Sequence, residues 1–162
     1  MTASDFATYI AGLPRVLSGA ATLFRDADGR VLLVEPNYRE GWALPGGTIE
    51  SESGETPREA ARRETLEEIG LDLAPGRLLA LDWGRAPDRP PVVAYLYDGG
   101  VLTGEQFMAI RLQQAELLSW KLVPRDEITA YLPGALGPRV LAALDVLSTD
   151  AGPVELVDGR PA

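Results

Sequence analysis

The stretch Gly46–Leu71, GGTIESESGETPREAARRETLEEIGL, decides the reading of this chain. Its second half carries the chemistry of a helix start. Thr56 suits an N-cap, Pro57 the first helical position, and Glu59 the carboxylate of a capping box. Nothing from there to Ile69 breaks a helix, and Gly70 is a natural stop. On that helix Glu64, Glu67 and Glu68 fall at i, i+3 and i+4, so three carboxylates share one face.

Like charges at that spacing repel by roughly 0.2–0.5 kcal/mol per pair. Arg63 can reach Glu59 and Glu67 along the helix, whereas nothing local neutralises the Glu64/Glu68 pair. Carboxylate oxygens gathered in this way suit a hard divalent cation such as Mg2+, with waters and substrate phosphates completing its shell. A solvated acidic helix face is the alternative when the spacing is taken alone.

The flanking residues tip the balance. Arg63-Glu64-x-x-Glu67-Glu68-x-Gly70-Leu71 resembles the second half of the Nudix box, and seven residues separate Glu55 from Arg63 as that box requires. Trp42-Ala43-Leu44-Pro45-Gly46-Gly47 resembles the lead-in common in the family, with Glu50 at its usual acidic position. Two departures stand out. Seven residues separate Gly47 from Glu55, where the family has five, so the loop over Ser51–Gly54 carries an insertion. Thr65 occupies a position usually held by a large aliphatic residue. The insertion falls in a Ser/Gly-rich turn, where added length costs little, and neither departure removes a carboxylate.

The 162 residues suffice for one domain with its own core. A net charge of −9, from 24 acidic and 15 basic residues, argues against broad nucleic-acid or anionic-membrane binding. It leaves a nucleotide substrate open, because a bound cation inverts the local charge. Histidine and cysteine are both absent, which excludes disulfides, thiol nucleophiles, Cys/His zinc sites and triads built on a histidine base. No basic, apolar leader and no long apolar run is evident, so the expected location is the cytoplasm, with no membrane span.

Along the chain, residues 1–14 form an N-terminal extension. Phe6, Tyr9, Ile10 and Leu13 lie there at helical spacing behind a Ser4/Asp5 cap. That stripe fits a helix covering an edge of the core, with a homodimer contact as the alternative. Strands are expected at Val16–Phe24, Val31–Val34, Leu78–Trp83, Val92–Tyr97 and Glu116–Val123. The first two form a hairpin at the centre of the sheet. Gly84–Pro91 reads as a loop, and Leu102–Gln114 fits either strand or loop. A short helix through Tyr131 and a last helix ending near Leu147 follow. Residues 149–162 read as a loose Gly/Pro-rich tail. Strands interleaved with one mid-chain and one terminal helix indicate an α/β fold whose sheet is covered on both faces. The resemblance implies that residues 15–148 are a Nudix hydrolase domain, an α/β/α sandwich with a mixed central sheet.

It also implies the site. Glu64, Glu67, Glu68 and the Gly46 carbonyl would hold Mg2+ or Mn2+. Arg63 would orient the glutamates, Glu55 would anchor Arg63, and Glu68 or Glu116 would take a proton from water. Glu105 is the rival to Glu116. Arg15, Arg39, Arg85 and Arg89 are candidates for phosphate contacts, and Tyr38 and Trp42 for stacking on a base. The implied activity is hydrolysis of a nucleoside diphosphate linked to another group X, giving a nucleoside monophosphate and phospho-X. The competing expectation is a nucleotide-binding or regulatory module of the same fold without turnover.

Overall fold

The computed structural model describes residues 2–162. In chain order the elements are α1 (Ala3–Ala11), β1 (Leu17–Arg25), β2 (Val31–Pro36), β3 (Gly46–Thr48) and α2 (Pro57–Ile69). Then come β4 (Leu78–Ala86), β5 (Arg89–Val101), α3 (Gly104–Ala109), β6 (Leu117–Val123), α4 (Ile128–Tyr131), α5 (Leu136–Leu147), β7 (Val154–Val157) and β8 (Arg160–Pro161). The strands form one mixed sheet in the order β6-β2-β1-β5-β4-β7-β8, with β3 added alongside β1. The β1/β5 and β4/β7 pairs are parallel and the others antiparallel.

Alternation along β1 sets the two layers. Leu23 faces a cluster with Val140 and Ala143 of α5, while its neighbour Phe24 faces one with Ile69 of α2 and Leu102. Ala20, on the Phe24 side, packs against Ala60 and Ala61 of α2. The sheet is therefore sandwiched between α2 with α3 on one face and α4 with α5 on the other, the α/β/α arrangement expected. No helix among the described residues is long and apolar enough to cross a membrane.

The expected central hairpin is only partly a ladder. β1 and β2 pair at Arg25 and Val31, then diverge, and β3 takes the place beside β1 by pairing Gly46 with Ala21 and Gly47 with Ala20. This fork is what brings the two glycines to the middle of the molecule. Gly84–Pro91 is likewise strand at both ends around a Pro87-Asp88 turn.

Two terminal expectations need correction. The α1 cap is Thr2, whose side chain accepts from the Asp5 backbone N–H while Asp5 returns a bond to the Thr2 N–H. The α1 stripe covers no core: Phe6, Tyr9, Ile10 and Leu13 are all exposed. The chain beyond Thr149 is not loose. β7 pairs with β4, and Leu156 is fully buried in the α5-side core. Asp158 in the β7–β8 turn accepts from the Arg85 backbone and guanidinium, and Arg77 donates to the carbonyls of Val146, Thr149 and Ala151. A β-branched VELV segment with an apolar seat available outweighs the flexibility of its flanking Gly and Pro.

Leu156→Ala should therefore destabilise the protein by about 2–5 kcal/mol, as for a buried core leucine. Phe6→Ala should change stability by no more than about 0.5 kcal/mol. Urea denaturation of both variants checks the pair.

Candidate active site

The glutamate helix begins and ends as its sequence requires. Thr56 and Glu59 complete the capping box, Pro57 fills the first turn, and Gly70 closes α2 in the left-handed conformation at φ 75°. Thr65, the unusual residue within it, is fully buried. Its hydroxyl is satisfied by donating to the Ala61 carbonyl at 2.8 Å. The insertion before the helix folds into an exposed single 3₁₀ turn over Ser51–Ser53, none of which lines the cleft of Glu64, Glu67 and Glu68.

Arg63 is the hub of the face. Its Nε and Nη2 donate to the two oxygens of Glu55 at 2.6 and 3.0 Å, and Nη1 donates to Glu64 at 2.9 Å and Glu67 at 3.1 Å. Nη2 also donates to the Thr48 carbonyl at 3.0 Å, tying the helix to β3. Two local expectations change. Arg63 pairs with Glu64, which is therefore not left unneutralised, and Glu59 is engaged in the helix cap instead of with Arg63.

Glu68 is held differently. It is 5% exposed, and its Oε2 accepts from the Gly46 backbone N–H at 2.8 Å. Burial pushes its carboxyl up to about 7, with Glu64, Glu116 and Glu67 adding repulsion and the Gly46 N–H opposing the rise. Burial also raises the Glu64 carboxyl, against the pull of Arg63. The glycines are required by this close approach. A Cβ on Gly47 would stand 2.5 Å from Glu64 Oε1, and one on Gly46 would stand 2.4 Å from the Ala20 carbonyl oxygen.

These groups line an acidic cleft with Tyr38, Glu50, Gln113 and the exposed Glu116. Glu105 lies on α3 and is not part of that lining. Among the described residues, no three acidic side chains stand ready to hold a metal ion as they lie. The physical reason is that Arg63 draws Glu64 and Glu67 to itself while Glu68 turns to the Gly46 N–H. The donor chemistry nevertheless fits Mg2+ or Mn2+: hard carboxylate oxygens, two of them raised in pKa by burial and mutual repulsion that a cation would relieve.

The cleft opens into a second, mostly apolar cavity of about 230 Å³, sharing Tyr38, Gly46, Gly47 and Glu68 with it. Of the four arginines considered for phosphate contacts, only Arg39 lines this space. Arg85 is taken by Asp158, Arg89 donates to neighbouring carbonyls, and Arg15 lines neither cavity. Trp42 packs edge-on against Tyr131 beneath Lys121, whereas Tyr38 is free at the mouth. Gln113 and Arg139 were not anticipated. Gln113 sits in Leu102–Gln114, whose pattern fits either strand or loop, and Arg139 is a lone charge in the otherwise largely apolar first turns of α5.

The NUDIX domain family model matches residues 16–144. Over 73 residues the chain is 36% identical to phosphatase NudJ of Escherichia coli K12, covering 44% of this chain and 46% of that protein. The matched part is less than half the length of the curated relatives. The MutT protein of Methanosarcina mazei Go1 superposes with a TM-score of 0.68 at 24% identity, over 85% of this chain and 98% of that one. The NUDIX domain of Shewanella oneidensis NrtR, complexed with ADP ribose, gives 0.70 at 19% identity, over 92% and 100%.

In the metal-free protein, Glu68 binds its proton more tightly folded than unfolded. Its contribution to stability is therefore lost as pH rises from 4.5 to about 7. Glu68→Gln should raise metal-free stability at pH 8 by on the order of 1–3 kcal/mol and leave it nearly unchanged at pH 4. Denaturant melts at the two pH values measure the difference.

Proposed function

The chain belongs to the Nudix family, and on that premise we propose that it is a metal-dependent pyrophosphohydrolase converting a nucleoside diphosphate linked to X into a nucleoside monophosphate and phospho-X. The observation that carries this reading is the junction at Gly46-Gly47. There a cleft of carboxylates, suited to a cation and phosphates, meets an apolar cavity suited to a ring. The ADP ribose bound by the NrtR domain belongs to the same substrate class.

Glu64, Glu67 and Glu68, with the Gly46 carbonyl, would hold Mg2+ or Mn2+. A cation there supplies charge neutralisation of the pyrophosphate and acidification of the attacking water. The chain's own residues do the rest. Glu68 keeps one oxygen on the Gly46 N–H and leaves the other for the cleft, where it would serve as a ligand or, with the cation carried by Glu64 and Glu67, as the acceptor of a water proton. Glu116, across the cleft, is the alternative acceptor. Arg63 aligns Glu64 and Glu67, and Glu55 fixes Arg63 from behind by a two-toothed ion pair. Arg39 meets phosphate oxygens at the mouth.

A nucleotide-binding module without turnover is favoured by one observation, that Glu64 and Glu67 rest on Arg63 and Glu68 on the Gly46 N–H, so that the three do not converge among the described residues. Activity decides between the two. Glu67→Gln and Glu68→Gln should each lower kcat by at least about 100-fold with the fold intact. Chelation should abolish turnover, and Mg2+ or Mn2+ should restore it. A panel of NDP-X compounds, scored for monophosphate, phosphate and pyrophosphate release, supplies the measurement. Metal-dependent nucleotide binding without product would establish the binding module instead.

A homodimer through the uncovered face of α1 belongs to the same proposal. Removing residues 2–14 should convert the dimer to a monomer in sedimentation velocity. An unchanged mass would place any association elsewhere.

A further inference from the structure

Asp82 lies in the middle of β4 with its side chain fully buried. One oxygen accepts from Arg139 Nε at 2.7 Å, and the other accepts from the Gly159 backbone N–H at 3.1 Å. Arg139 comes from the first turn of α5, on the opposite layer, and its side chain is 18% exposed. Its two Nη groups have no protein partner among the described residues, and Arg139 lines the apolar cavity beside the acidic cleft. The guanidinium is thus pinned at one corner, with the rest of its planar fork available to whatever enters.

Three features narrow the occupant. The Asp82 carboxylate cancels the charge of Arg139, the other arginine of the lining, Arg39, is exposed to solvent, and the walls around Arg139 include Ala20, Ala94, Leu96 and Leu136. An anion set inward against the Asp82–Arg139 pair, away from Arg39, would be buried without net compensation, so a neutral acceptor is favoured there over a phosphate. A volume of about 230 Å³ holds a single ring system and not a whole nucleotide. Glu68 and the two glycines at the shared edge fix the phosphate end of the ligand in the cleft, which directs the ring inward.

We propose that Arg139, held in place by Asp82, selects a 6-keto purine in this cavity by donating to its O6 and N7. This rests on the nucleotide-hydrolase reading of the adjoining cleft. Two neighbouring acceptors match the guanidinium fork, whereas adenine turns its 6-amino donor to the same edge and leaves donor facing donor. Arg139 is on this view a specificity residue.

Calorimetric titration with GMP, IMP and AMP in the presence of Mg2+ tests the assignment. GMP and IMP should bind about fivefold or more tighter than AMP. Arg139→Lys keeps a cation for Asp82 but removes the fork, and should bring the three within about twofold. The double variant Asp82→Asn/Arg139→Gln gives the same readout should the lysine variant fold poorly. AMP binding as tightly as GMP, a GMP preference that survives in both variants, or no binding of any of the three would overturn the proposal. Hydrolysis of GDP- and ADP-linked sugars separates it from the catalytic reading. A GMP preference without turnover leaves the pocket assignment standing and removes the hydrolase, and turnover indifferent to base does the reverse.

Discussion

The Arg63 guanidinium is the interaction on which the site depends. A helix carrying Glu64, Glu67 and Glu68 on one face would repel itself, and five hydrogen bonds from one side chain hold it instead. The fork geometry matters here. Nε and Nη2 close on Glu55 in parallel, which leaves Nη1 aimed at the other two carboxylates. A lysine could match the charge but not this division of labour. Because Nη2 also reaches the Thr48 carbonyl, the same residue fixes the distance between α2 and β3. The arginine therefore sets both the electrostatics of the cleft and the placement of its backbone wall.

The opposite wall is set by absence of side chain. β1 and β2 diverge beyond Arg25 and Val31, and the gap admits β3 only because Gly46 and Gly47 carry no Cβ to strike Ala20 or Glu64. This close packing strips water from Glu68, and the single N–H of Gly46 does not offset the loss. Burial holds that carboxyl up near 7, so it keeps its proton to a higher pH than an exposed glutamate. The cost falls on the stability of the empty protein, as expected where a site is shaped for a ligand.

Local signals carried much of this architecture. Thr56, Pro57, Glu59 and Gly70 mark both ends of α2, and each acts as its residue type dictates. The Nudix box spacing marks the carboxylate face, although it could not reveal that Arg63 pairs with its immediate neighbour Glu64, since adjacent helical residues do not face each other and only a long side chain can bridge them. Other signals were present and outweighed. Thr103 and Gln106 form a capping box that starts α3, inside Leu102–Gln114, whose apolar pattern alone fits strand or loop. Asp158-Gly159 between VELV and Arg160-Pro161 is a hairpin signature, yet the nearby glycine and prolines made the segment look loose. For α1, periodicity predicted the helix correctly but not its burial, because an apolar stripe does not specify what covers it.

The Asp82–Arg139 pair was beyond any local reading. Its members are separated by 57 residues and lie on different layers of the sandwich, joined only once α5 packs on the sheet. An aspartate inside a strand and an arginine inside an apolar helix each look like a misplaced charge in isolation. Together they are a neutral unit, with Gly159 completing the hydrogen bonding of Asp82. Neutrality is what lets such a pair stand in an apolar wall, and the unpaired Nη edge is what makes it more than a structural clasp. Arg63 and Arg77, by contrast, have both Nη groups closed by carboxylates or carbonyls of the protein. A ligand that covers those donors without an acceptor strips them of water at a cost, whereas one with a matching acceptor does not, so the wall favours the second. The acidic cleft and the neutral cavity thus divide recognition between them, charge at one end and hydrogen-bond pattern at the other, with Gly46-Gly47 as the shared edge.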